Sequence, residues 1–84
     1  MDEIDFRVIE AYLINGWSHR KIQIDILELE APPRGGGFKA MEILHRYGVT
    51  AEFKGILRGQ ELNKALFLQS RNIEIYLDRL RTKA

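Results

Sequence analysis

Eighty-four residues, 45% apolar and 30% charged, fit one globular domain with a modest core. The absence of cysteine excludes a disulfide scaffold, a thiolate zinc site and a thiol nucleophile. The net charge of +1 conceals a gradient: residues 1–30 carry three Lys/Arg against seven Asp/Glu, residues 31–60 five against two, and residues 61–84 five against three. Such unevenness suits a polyanion partner on one face, and a scatter of solvated charges accounts for it as well. No uninterrupted apolar run exceeds that of Ala65-Leu66-Phe67-Leu68, which is far too short to span a bilayer. The start, Met1-Asp2-Glu3-Ile4-Asp5, is acidic where a signal peptide is basic. A cytoplasmic location without a membrane partner is therefore expected.

In chain order, residues 3–14 read as a first helix. Ile4, Val8, Ala11 and Tyr12 form one apolar face, and Phe6, Ile9 and Leu13 form a neighbouring one. Asp2 can cap its start. Asn15-Gly16 supplies a left-handed stop, with Trp17 placed to pack back. Ser18 then reads as the N-cap of a second helix running to about Leu29. Lys21-Ile22-Gln23-Ile24-Asp25-Ile26 alternates like a strand, but Ile22, Ile26 and Leu29 keep helical spacing and no hairpin turn is near. Pro32-Pro33 ends the segment.

The middle, Ala31-Pro32-Pro33-Arg34-Gly35-Gly36-Gly37-Phe38-Lys39, places costly glycines before a third helix, Phe38 to Tyr47. Ala40, Met41, Ile43, Leu44 and Tyr47 form that helix's apolar side; Gly48 terminates it and Val49 can close the cap. Residues 49–59 fit either a short helix capped by Thr50 or a small hairpin turning at Lys54-Gly55. The last helix spans about 61–82. In it Leu62, Leu66, Gln69, Ile73, Tyr76 and Leu80 stand alternately four and three residues apart, a stripe of period 3.5. The stripe either docks on the domain's own core, the commoner fate, or pairs two chains. The expected fold is mainly α: four helices, a helix-turn-helix-like unit and an optional hairpin near 49–58.

Three constellations bear on function. In Gly16-Trp17-Ser18-His19-Arg20-Lys21-Ile22, basic residues occupy a first helical turn, where they are disfavoured unless an anion is present. In the glycine stretch, the amides of Gly35, Gly36 and Gly37 can form an anion nest flanked by Arg34 and Lys39. It is neither a nucleotide P-loop nor a dinucleotide fingerprint, and a plain flexible loop is its bland reading. In Leu44-His45-Arg46-Tyr47-Gly48-Val49-Thr50, with Ile56-Leu57-Arg58-Gly59 downstream, a helix, a turn and a capped segment outline a helix-turn-helix. The fit is loose, because Leu44 stands where a small residue is usual and Gly55 weakens a recognition helix.

Catalysis finds no constellation. Adjacent Ser18 and His19 diverge on a helix, and Glu42-x-x-His45 lacks the second copy that a di-metal carboxylate site needs. No enzyme activity, cofactor or metal is expected.

One stretch resembles a segment of some bacterial proteins that carry an HNH-type nuclease module. The likeness runs through Asn15-Gly16-Trp17-Ser18-His19, Leu29-Glu30-Ala31-Pro32, Arg34-Gly35-Gly36-Gly37-Phe38 and Ala40-Met41-Glu42-Ile43-Leu44-His45. It continues in Gly48-Val49-Thr50 and Lys54-Gly55-Ile56-Leu57. In that family the segment lies outside the catalytic module, and the His-Asn-His core is missing here. The resemblance implies a DNA-engaging accessory domain without nuclease activity. The expectation is a DNA-binding domain, with duplex favoured over single strand. Ser18, His19, Arg20, Lys21, Arg34, Gly35, Gly36, Gly37, Lys39, Arg46, Thr50, Lys54 and Arg58 supply its contacts. The alternative is a protein-interaction module, a homodimer through 61–82.

Overall fold

A computed structural model describes residues 2–32 and 37–70. It is mainly helical. The elements are α1 (Glu3–Glu10), prolonged by a widened π-type turn at Ala11–Asn15, then α2 (His19–Asp25), α3 (Lys39–Arg46), a single 3-10 turn (Ala51–Phe53) and α4 (Glu61–Ser70). No strand occurs among the described residues.

Helix α1 is the hub, and its sequence explains why. Asp2 caps it by accepting from the Ile4 amide at 3.3 Å, and Glu3 and Asp5 favour the positive end of the helix dipole. Its two adjoining apolar faces leave Phe6, Val8, Ile9, Ala11, Tyr12 and Leu13 all buried, whereas Ile4 remains exposed. A helix apolar around so much of its girth has to be covered from several sides. Phe6 stacks on Phe67 of α4, with ring centroids 5.4 Å apart. Asp5, buried, accepts from the Tyr47 hydroxyl at 2.6 Å and lies 3.5 Å from the Arg46 guanidinium, both at the end of α3. Tyr12 meets His19 of α2.

The end of α1 is closed by another part of the chain. The amides of Gly16 and Trp17 both turn back to the Ala11 carbonyl, and Gly16 takes the left-handed φ of 66° expected of it. That leaves the Tyr12 and Leu13 carbonyls without helical partners. The Gly55 amide donates to Tyr12 at 2.8 Å and the Leu57 amide to Leu13 at 2.9 Å, while the Arg58 guanidinium donates to the Asn15 carbonyl. Gly55 (φ 67°) and Gly16 lie back to back: a Cβ on Gly16 would stand 3.6 Å from the Gly55 Cα and 3.0 Å from Arg58 Nη2.

Residues 51–59 are therefore neither a hairpin nor a full helix. After one 3-10 turn the chain is spent on pairing with α1, main chain to main chain, and Phe53 and Leu57 are buried beneath it. Thr50 occupies the N-cap position but supplies no side-chain cap.

Helix α2 is a helix, as its serine cap and apolar spacing require, with Ile22 fully buried and Ile24 left outside. It ends earlier than Leu29. The Leu27 amide reaches back to the Ile22 carbonyl, the Leu29 amide to Gln23, and Glu28 adopts a left-handed φ of 55°. Helix α3 ends as its Gly-Val signal predicts. Gly48 donates to the His45 carbonyl at 3.0 Å and Val49 to Leu44 at 2.9 Å, with Val49 buried.

In the described part of the terminal helix, α4, the stripe is not seated in the core, the commoner of the two fates its sequence allows. Leu62 is 75% exposed and Leu66 39%, and the buried residue is Phe67, one position off the stripe. Ile73, Tyr76 and Leu80 lie outside the described residues.

Candidate functional site

The first turn of α2 is built as the sequence indicates. Ser18 Oγ accepts from the Lys21 amide at 3.2 Å, so this hydroxyl serves as the helix cap. His19, next along, lies flat against Tyr12, with centroids 5.4 Å apart and planes 9° from parallel. On its other flank Phe38, the residue before α3, stands 6.2 Å away, tilted by 36°. Three elements thus meet at one imidazole: the end of α1, the start of α2 and the start of α3.

The charged groups that shift this imidazole are both basic. Partial burial holds His19 below the usual imidazole range, and Lys54 and then His45 lower it further. No carboxylate contributes to that shift. Lys54 and His45 are both exposed. Lys54 enters no ion pair among the described residues. An imidazole whose proton is disfavoured by burial and by two basic groups, stacked on the Tyr12 ring, is a place where an incoming anion would favour the protonated form. Gly37 adjoins it, with open space where a Cβ would be.

The remaining expected contacts are distributed differently. Lys21 lies 2.9 Å from Asp25 and sits 4.5 Å above the Trp17 ring, and Lys39 is 3.7 Å from Glu42. Such exposed pairs are worth about 0–1 kcal/mol and exchange readily for a phosphate. Arg46 is drawn towards Asp5, and Thr50 Oγ1 donates to Glu52 at 2.9 Å. Arg58 fastens the end of α1, which gives it a structural task. Arg20 is on a different surface, an open groove that it shares with Ile24, Glu28, Leu29, Glu30 and Ala31, where two carboxylates oppose an anion. Arg34, Gly35 and Gly36 lie outside the described residues.

The amides opening α3 are not all free for a ligand. Buried Gln23 extends its Oε1 to the Ala40 amide at 3.1 Å, while its Nε2 donates to the Glu30 carbonyl at 3.4 Å. A glutamine from α2 therefore caps α3, and Phe38, at the N-cap position, has no side chain that could.

Sequence reasoning passed over Tyr12 and Phe38 as partners of His19, and gave no role to buried Asp5 and Gln23. The contacts of His19 with Phe38, Asp5 with Tyr47 and Gln23 with Ala40 join residues far apart along the chain, and local spacing carries no trace of them.

Among the described residues no group of three or more metal-ligating side chains forms, and no helix is long and apolar enough to cross a membrane. Comparison with family models, with curated proteins and with solved structures yields no match to this chain.

Proposed function

We propose that the protein binds DNA, engaging backbone phosphates with the face that carries His19, His45 and Lys54. The observation that carries this reading is the convergence of these groups from α2, α3 and the 51–59 segment around the Tyr12–His19–Phe38 stack. Phosphate contacts need positive side chains, and contacts of this kind position a protein on a duplex without reading its sequence. Lys39 and Lys21, held only by exposed pairs, extend the contact set. Arg34 and the glycine amides are sequence neighbours of Gly37 and complete it. The segment after Gly48 is the proposed base-reading element in a helix-turn-helix-like arrangement. Its single 3-10 turn makes it a short reader, supported from below by its bonds to α1.

The test is titration of a labelled duplex of mixed sequence at low and at high salt. Affinity is expected to fall steeply as salt rises, and Lys54→Ala to reduce the dependence on log salt by about one. Binding is also expected to strengthen as pH falls through the imidazole range, because a phosphate favours the protonated form of His19. Indifference to both salt and Lys54→Ala would exclude this assignment.

A second reading, a protein-interaction or dimerisation module using the C-terminal helix, has the exposed Leu62, Leu66 and Leu68 of α4 in its favour.

A further inference from the structure

One side chain crosses from α2 to the start of α3, and it is both polar and buried. Gln23 is 5% exposed. A primary amide at such a site costs free energy unless its hydrogen bonds are met. Its Oε1 accepts from the Ala40 amide at 3.1 Å, and its Nε2 donates to the Glu30 carbonyl at 3.4 Å. Its main-chain carbonyl accepts from the Leu29 amide at 3.0 Å. Gln23 thus holds both the segment leaving α2 and the first turn of α3.

The place of these bonds matters more than their number. His19 stands four residues before Gln23, one turn earlier on the same face of α2, and Phe38 stands two residues before Ala40. On this side the two helices therefore meet at two neighbouring points, the ring contact of His19 with Phe38 and the hydrogen bond of Gln23 with Ala40. The ring contact, tilted and 6.2 Å between centroids, is near the long end of the range for such pairs and tolerates sliding. Ile22, Ala40 and Ile43 in the shared core keep the helices together, but apolar contact is non-directional. The hydrogen bond to a buried main-chain amide is directional, so it supplies the constraint that the other contacts lack.

We infer that Gln23 is a positioning residue for the phosphate-engaging face: its side-chain amide fixes the start of α3 against α2, and so sets Phe38 beside the His19 ring. What the face is used for rests on the DNA-binding reading; the placement itself does not. Glutamine suits this task. One neutral group that accepts and donates satisfies the Ala40 amide and the Glu30 carbonyl together, and it brings no charge into the interior.

The test is NMR of the free protein, followed by titration of a mixed-sequence duplex. Gln23→Met keeps the length of the side chain without its hydrogen bonds. In that variant, cross-relaxation between the His19 and Phe38 ring protons is expected to be lost, and the Ala40 amide to exchange about tenfold faster. Duplex binding is expected to weaken about tenfold. Gln23→Glu keeps the oxygen that accepts from Ala40 and is expected to retain the ring contact; it remains as the probe should Gln23→Met unfold. The inference would be overturned by a ring contact undiminished in Gln23→Met, or by one lost in Gln23→Glu while the Ala40 amide stays protected. Duplex binding equal to that of the wild type once the contact is gone would overturn it too. A wild type that binds no duplex would refute the DNA reading instead, and the ring contact, measured without DNA, would still decide the placement.

Discussion

The two ends of the described chain make opposite use of similar material. The end of α1 and α4 both carry leucine and an aromatic residue, yet Tyr12 and Leu13 are sealed while Leu62 is largely exposed and Leu66 partly so. The difference is in the backbone. At the end of α1 a widened turn frees two carbonyls, and residues 55–57 satisfy them through amides. Those bonds hold the covering segment at a fixed distance, and the apolar side chains fill what lies between. Helix α4 meets the core through the buried Phe67 ring. Apolar composition therefore does not decide burial; an unsatisfied main-chain group that demands a partner decides it.

Phe67→Ala is expected to sharpen the contrast most. Removal of a fully buried aromatic ring costs about 3–5 kcal/mol, and the loss should fall unevenly. Hydrogen exchange should show α4 amides losing protection first, while the amides of Gly55 and Leu57 keep theirs. Simultaneous loss at both ends would show that the two regions are one cooperative unit.

Next in size are Gly16→Ala and Gly55→Ala. Each places a side chain on a left-handed residue, at about 1–3 kcal/mol, and Gly16→Ala also presses on Arg58. Because these glycines face each other, the double substitution should differ from the sum of the singles in chemical denaturation. Strict additivity would mean that the contact between them is not close.

A smaller effect is expected from pH. His19 in the folded protein titrates below its ordinary value, so the unfolded chain binds more protons within that interval. Its contribution to stability is complete above the ordinary imidazole pKa, about 6.5, and is lost as pH falls below it. His19→Phe, which keeps a ring on Tyr12, should lessen the acid loss relative to wild type in thermal melts at pH 7.5 and 5.5. An identical acid loss in both proteins would place the titrating group elsewhere. Smallest of all, Lys21→Ala and Lys39→Ala should each change stability by less than about 1 kcal/mol, while weakening duplex binding.

The helices and most of their ends were legible in the sequence because their signals are local, although α2 stops at Asp25, short of the expected Leu29. Asp2, Ser18, Gly16 and Gly48 act on residues within one turn, and each performs the task its type suggests. The 51–59 segment was not legible, since its conformation answers to carbonyls some 43 residues earlier in the chain, the separation of Arg58 from Asn15. Gln23 was hidden for the same reason: it sits at an ordinary helical position and reveals its value only when α3 arrives with an uncapped start. The stripe on α4 was legible, but which of its two fates it meets was not, because periodicity shows that a face exists without showing which way it is turned. Of the candidate site, the basic residues could be named, but their neighbours could not. What sets His19 apart from Lys21 or Arg46 is that the partners folding brings to it are the rings of Tyr12 and Phe38 rather than a carboxylate.

The pairing of Tyr12 with Gly55 and of Leu13 with Leu57 also bears on the order of events when the chain is made. A ribosome releases the first helix long before residue 57 emerges, so water must solvate those two carbonyls in the meantime. The start of that helix can settle early, but its finish must wait for a segment made much later. Nascent chains halted before and after residue 57 should therefore differ at the far end of the first helix, even though not one of its own residues has changed.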